Sequence, residues 1–380
     1  MPLLVNRLYD PIAALFRENF EIFGELGAAI SIWQNGEPIL NLDSGFRDSQ
    51  RREAWTADTI VLVWSATKGI GSACMLHVLQ ENKIDLGRRV ADFWPEFAGN
   101  GKSEITIAQL VSHSAGLCAL DQPADILDHD GVIHAIEMQM PLWPPGTAHG
   151  YHARTFGFLI DELVRRIAGI SISNYWRQVF GDPLSLDFWI GLPAELNSRC
   201  ATIYAARSGR PPDPAEFYRD LARPGTLQQR TFTSPQGLQA LGAMNKPEIR
   251  AHPIVSFGGI GSASAIAKFY ALLANGGEIG GRRFFKEETI GQMTTALVDG
   301  VDRIFEIPTA FSAGLMKDTG NPDRRIFGPS AQAFGHPGAG GSHAFADPEN
   351  NIAFAYVMNQ MEQTLLPNEK SLRLINAIYR

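Results

Sequence analysis

The chain has 380 residues, with 33 Lys and Arg against 40 Asp and Glu, a formal net charge of −7, 45% apolar residues and 19% charged ones. A prior of about 150 residues per domain gives two or three units and a large core, and so little charge on so apolar a chain excludes disorder. The mild acidic excess excludes an electrostatic nucleic-acid binder, which needs a basic face to displace phosphate counterions.

In chain order, the first twenty residues read as a short helix. Asn6, Arg7 and Asp10 interrupt its apolar run, so no signal peptide is expected and a cytoplasmic location is. Two apolar runs, 28–33 and 39–42, flank Gln34-Asn35-Gly36, and Asn-Gly predicts a hairpin there. A strand-like run, 59–64, leads into a helix whose apolar positions Ile70, Cys74, Leu76, Val78 and Leu79 predict deep burial. Helical patterns with Pro and Gly breaks fill the middle of the chain. Residues 200–232 are polar and rich in Pro and Arg, which predicts an irregular, lid-like loop over a site. The segment from Phe257 opens on a Gly-rich turn and reads as a helix closed by Gly276-Gly277. Two strand-like runs around Asp347-Pro348-Glu349-Asn350 and a final amphipathic helix complete the chain.

Strands at both ends with helices between predict an α/β (α+β) fold. An antiparallel sheet domain is expected from residues 1–70 and 245–380, with a mainly helical domain over 71–244. No stretch reaches the roughly 18 apolar residues of a membrane span. Cys74, Cys118 and Cys200 are odd in number and contain no C-x-x-C pair, so neither a disulfide framework nor structural zinc is expected.

Three segments carry chemistry. Ser65-Ala66-Thr67-Lys68 is the one S-x-x-K of the chain; residues i and i+3 share a helix face, so hydroxyl and ammonium can meet. Ser65 would sit at a helix N-terminus, where free N–H groups stabilise developing negative charge. Pro145-Gly146-Thr147-Ala148-His149-Gly150-Tyr151-His152-Ala153 can deliver a phenol to a site from a turn, although a lone Tyr more often packs under its loop. His336-Pro337-Gly338-Ala339-Gly340-Gly341 is a Gly-rich strand that lets a ligand approach the backbone.

In this order, with 105–117 (ITIAQLVSHSAGL) between the first two, the segments resemble the serine β-lactamase and penicillin-binding-protein superfamily. The resemblance is closest to class C β-lactamases and family VIII carboxylesterases, and runs from about Gly27 to Asn359. It implies Ser65 as nucleophile, Lys68 and Tyr151 as the proton-transfer pair, and an oxyanion hole from the backbone N–H groups of Ser65 and Ala339, with His336 and Gly338 lining the pocket. Two positions depart from the family pattern. Y-x-N appears as Tyr151-His152-Ala153, which loses an amide-binding Asn, and K-T-G appears as His336-Pro337-Gly338, which loses a fixed cation. Both point away from charged β-lactam or peptidoglycan substrates and towards small neutral esters.

A phenol with a pKa of about 10 is a poor base at neutral pH. An ammonium 4 Å away at an effective dielectric of 20 contributes about 4 kcal/mol, or roughly three pKa units, so Lys68 could activate Tyr151. Alternatively neutral Lys68 is the base and Tyr151 relays the proton. The sequence leaves both routes open. β-Lactamase, amidase and acyltransferase activities share the acyl-enzyme and stand as alternatives, with a non-catalytic scaffold behind them. Ser112-His113-Ser114 reads as structural, and His149 and His152 lack a third ligand for zinc. No cofactor, metal, nucleic-acid or membrane partner is expected. Trp64, Trp143, Tyr204 and Phe217 are aromatic residues near these segments that could equally be core.

Overall fold

The structure, a computed structural model, describes residues 10–207, 213–321 and 325–380. The Asn35-Gly36 turn, with φ of +53° and +77°, folds β1 (Gly27–Gln34) onto β2 (Glu37–Gly45). β1 then pairs along its other edge with β11 (Ile352–Met358), placing Ile30 opposite Tyr356. Among the described residues the main sheet has eight strands in the order β2-β1-β11-β10-β9-β8-β7-β6, every neighbour antiparallel. The others are β6 (Val298–Val301), β7 (Pro308–Phe311), β8 (Met316–Lys317), β9 (Phe334–Pro337) and β10 (His343–Asp347). A second, three-stranded sheet joins β3 (Val61–Leu62) to β5 (Gly259–Gly261) and β5 to β4 (Phe188–Ile190).

Alternation along the central strands sorts the two faces. Ala344, Ala346, Ala353 and Ala355 turn one way, and their small side chains admit the Ala-rich helix Ala263–Ala274. Phe345, Phe354 and Tyr356 turn the other way, into a second cluster with Ile12 and Phe16 of the first helix and Leu374 and Ile375 of the last. Both faces are covered, so Ile352–Met358 is buried at every position. Among the described residues no helix is long and apolar enough to cross a membrane.

The helix Ala66–Glu81, here α1, is buried through fourteen consecutive positions from Ala66 to Leu79. Its glycines permit that. A Cβ at Gly69 would lie 2.2 Å from the Tyr270 hydroxyl, and one at Gly71 would lie 2.7 Å from Val255. Thr155–Ala168, here α2, ends at Gly169 in the left-handed region, φ +75°.

The strand-like run over 59–64 forms only a two-residue strand, because its end is taken up by the turn into α1. The stretch 200–232 is less irregular than its composition suggests. It contains two helices, α3 (Ala215–Ala222) and α4 (Leu227–Thr233); the Pro214 amide-free N-terminus and the Thr226 cap start them. Residues 208–212 of that stretch lie outside the described residues.

Candidate active site

The turn before α1 sets the site. Trp64 adopts φ +51°, a left-handed conformation that costs energy for a bulky residue and folds the chain sharply out of β3. Three successive i→i+3 bonds follow, from the amides of Ala66, Thr67 and Lys68 to the carbonyls of Val63, Trp64 and Ser65. Thr67 pins this turn: its hydroxyl donates to the Trp64 carbonyl at 2.5 Å and accepts from the Gly259 amide at 2.8 Å. In such a tight turn i and i+3 side chains eclipse, so Ser65 and Lys68 meet.

Lys68 is fully buried. Its Nζ lies 3.2 Å from Ser65 Oγ, 2.9 Å from the Ala153 carbonyl and 2.7 Å from the Ser256 carbonyl. Among the described residues no carboxylate pairs with it, and burial pushes the ammonium well below the usual lysine range. Its Nζ also stands 4.8 Å from the centre of the Tyr151 ring.

Tyr151 is delivered by a loop that histidines fix. The Gly150 amide donates to the His113 carbonyl at 3.0 Å, and the His152 amide to His113 Nδ1 at 3.1 Å. His152 Nε2 accepts from the Leu117 amide at 2.9 Å, so its proton is on Nδ1, which donates to the Gly150 carbonyl at 2.7 Å. The Ser112 and Ser114 hydroxyls bond each other at 3.0 Å, while His113 turns to the Tyr151 loop; these three are scaffold. His149 Nε2 meets the Thr309 hydroxyl at 2.9 Å. The two histidines of the loop are thus held by backbone and hydroxyl partners on different sides.

The Tyr151 phenol lies within hydrogen-bonding reach of Ser65, and burial pushes its pKa up. On its far side stands His336 Nε2, at 3.5 Å. His336 Nδ1 faces the Pro337 carbonyl at 2.8 Å, so Nδ1 carries the proton and Nε2 is an acceptor towards the phenol. Burial first, and the proximity of Lys68 second, push this imidazole down to about 3, so it is neutral at pH 7.

The turn after β9 reaches the chain just before Ser65 because residue 338 is glycine. A Cβ there would lie 2.1 Å from the Val63 carbonyl, closer than any side chain tolerates. This approach brings Ala339 beside the Ser65 turn. Among the described residues neither the Ser65 nor the Ala339 amide donates to a backbone carbonyl. The Gly340 carbonyl, in turn, accepts from the Glu362 amide at 3.0 Å.

The structure therefore gathers Ser65, Lys68, Tyr151, His336, Gly338 and Ala339 around one point. Of the four aromatic residues noted above, Trp64 packs 6.2 Å from Phe257 and Phe217 packs 5.8 Å from Phe305, whose ring stacks on Tyr151. Trp143 contacts His152, and the Tyr204 hydroxyl accepts from the Ser49 amide. Ser256, Phe305 and Asp302, which hold Lys68 and Tyr151 in place, carry no motif that would single them out in the sequence.

A family model described as Beta-lactamase matches residues 12–376. The chain is 31% identical over 354 residues to Esterase/beta-lactamase LipL of Mycobacterium tuberculosis, covering 90% of this chain and 78% of that one. It also resembles the crystal structure of a penicillin-binding protein homolog from Caulobacter crescentus, at TM-score 0.87 and 33% identity, covering 98% and 97% of the two chains. A family VIII carboxylesterase superposes with TM-score 0.88 at 32% identity, again covering 98% and 97%. With the serine-hydrolase fold, its antiparallel sheet built from both chain ends, and a family match over nearly its whole length, this chain belongs to the beta-lactamase family.

Proposed function

We propose that the protein is a serine carboxylesterase that cleaves small neutral carboxylic esters through an acyl-enzyme on Ser65. The observation that carries this reading is the set of three neighbours around Lys68 Nζ. Two of them, the Ala153 and Ser256 carbonyls, can only accept. An ammonium would donate to all three; once deprotonated, the amine keeps two hydrogens for the carbonyls and turns its lone pair to the Ser65 hydroxyl. Burial favours that neutral form.

Lys68 then takes the Ser65 proton as Oγ attacks the ester carbonyl. The Ser65 and Ala339 amides receive the oxyanion. Tyr151, kept as a phenol by burial, passes a proton to the leaving alcohol and is reprotonated from Lys68 through the Ser65 side; His336 Nε2 orients its hydroxyl. Water repeats the cycle on the acyl-enzyme. Neutral His336 offers no counter-ion to a substrate carboxylate, which supports uncharged esters. The name of the LipL relative couples esterase with beta-lactamase, so β-lactam turnover on the same acyl-enzyme is the second reading.

Rates on p-nitrophenyl butyrate and on nitrocefin test both. Ser65→Ala is expected to lose at least about 1,000-fold in kcat on the ester, and Lys68→Ala and Tyr151→Phe each about 100-fold or more. More than a tenth of wild-type rate in Ser65→Ala would remove the nucleophile. Faster turnover of nitrocefin than of butyrate would reverse the substrate ranking.

A further inference from the structure

Asp302 is fully buried behind the Tyr151 main chain. It begins the loop after β6, and its carboxylate gathers donors from three segments. The Tyr151 amide donates to both oxygens, at 3.2 Å to Oδ1 and 3.1 Å to Oδ2. The Ile304 and Phe305 amides donate to Oδ1 at 2.7 and 2.9 Å. The Thr309 hydroxyl donates to Oδ2 at 3.2 Å. Since that hydroxyl has given its proton to a carboxylate, its oxygen accepts from His149 Nε2, at 2.9 Å. Among the described residues no Lys or Arg side chain pairs with Asp302; three amides and a hydroxyl hold its charge.

The loop is also closed on itself: the Asp302 amide donates to the Ile307 carbonyl at 3.0 Å, and the Glu306 amide to the Asp302 carbonyl at 2.8 Å. This places Phe305 against the Tyr151 ring, with centroids 4.7 Å apart and planes 29° from parallel. One carboxylate thus fixes the Tyr151 main chain directly and its ring through Phe305.

We propose that Asp302 is the positioning residue of Tyr151, a clamp that holds the phenol between Ser65 and His336. The inference rests on the proposed role of Tyr151. The Asp302 carboxylate bonds Tyr151, Ile304, Phe305 and Thr309 but neither Ser65 nor Lys68, so its removal should change rate through Tyr151. Asp302→Ala takes away the acceptor for all three amides and frees the Phe305 loop. Asp302→Asn keeps Oδ1 for the amides, and its Nδ2 can donate to the Thr309 hydroxyl, which turns to donate to the other tautomer of His149. The conservative variant should therefore rescue the clamp.

The test is a double-mutant cycle on p-nitrophenyl butyrate, with kcat and KM measured for the wild type, Asp302→Ala, Asp302→Asn, Tyr151→Phe, Asp302→Ala/Tyr151→Phe and Ser65→Ala. Asp302→Ala is expected to lower kcat about 100-fold, the cost of a misplacement of about 1 Å, with KM within about threefold. Asp302→Asn should stay within about tenfold of wild type. In the Tyr151→Phe background Asp302→Ala should cost less than about threefold more, because both changes disable one unit. The same factor with and without the Tyr151 hydroxyl, or a kcat within threefold of wild type for Asp302→Ala, overturns the clamp. If Asp302→Ala does not fold, Phe305→Leu takes its place in the cycle. It leaves the carboxylate bonded and should cost about tenfold, again without adding to Tyr151→Phe; additivity there overturns the clamp too. Ser65→Ala separates the two levels. Activity above a tenth of wild type there overturns the underlying reading, and the clamp with it; an inactive Ser65→Ala with an additive Asp302→Ala overturns the clamp alone.

Discussion

Lys68 is one of eight lysines, and its surroundings reverse the usual behaviour of that side chain. An exposed lysine is charged at pH 7, whereas among the described residues no carboxylate pairs with Lys68, and burial makes the ammonium the costly form. The sign of the pH dependence follows. With the unprotonated amine as the proposed base, kcat/KM should rise as Lys68 gives up its proton and fall as pH is lowered through that step, which burial moves well below the usual lysine range. Lys68→Arg tests this, because a guanidinium stays charged at every working pH. It should lose at least about 100-fold, with no recovery as pH is raised to 9; recovery on the alkaline side would mean that a fixed positive charge suffices and that the phenol is the base. The residue-level arrangement was partly legible in the sequence. S-x-x-K announces itself because both members lie in one helical turn. Asp302 does not, since about 150 residues separate it from Tyr151 and nothing about a lone Asp near an edge strand marks it as an acceptor of main-chain amides.

At the level of elements, legibility tracked local signals. The Asn35-Gly36 hairpin, the buried helix from Ala66 and the helix ended near Gly276 are written in spacing and turn chemistry, and they form where expected. The stretch 200–232 was harder to read. Its two helices are seven and eight residues long, too short to show a strong period, and they are stabilised by contacts made far away in sequence. Phe217 of α3 packs on Phe232 and on Phe305. Ser234, just after α4, bonds the Leu120 amide, and Arg154 reaches the Gly237 carbonyl. This segment therefore borders the Tyr151 side of the site, and the acyl or alcohol group of a substrate should feel it. Replacing 215–222 with a short Gly-Ser linker is expected to shift the ratio of kcat/KM for octanoate over butyrate p-nitrophenyl esters by about tenfold or more towards the longer chain. An unchanged ratio would place substrate recognition elsewhere.

For the whole molecule, buried imidazoles couple folding to pH. His152 is pushed down to about 4, and His336 and His343 to about 3, in each case chiefly by burial. In the unfolded chain these residues titrate near about 6.5. The folded state therefore refuses protons that the unfolded state accepts, and stability that is complete above about pH 6.5 drains away as pH falls towards about 4. Glu25 and Asp302, raised by burial, act in the opposite sense, so a difference measurement isolates the histidines. His343, whose side chain bonds Ser371 at 3.2 Å and none of the site residues, is the suitable probe. Unfolding free energy of His343→Asn should fall less steeply than that of wild type between pH 6.5 and 4, by the slope of one proton. Parallel curves would show that His343 takes up its proton alike in the folded and unfolded states.

The pairing of β1 with β11 also orders events in time. A ribosome releases the first hairpin early, yet its central neighbour, Ile352–Met358, is made about 320 residues later. The Ser65 turn precedes the Ala339 amide by about 270 residues, which at about 5 to 20 residues per second is a wait of roughly 15 to 55 s. Through that interval a nascent chain holds Ser65 without the Ala339 amide proposed to complete its site, and an open apolar strand edge without its partner. The proposed site is thus complete only once residues 339–358 have been made, and that exposed edge is what a chaperone would have to shield until then.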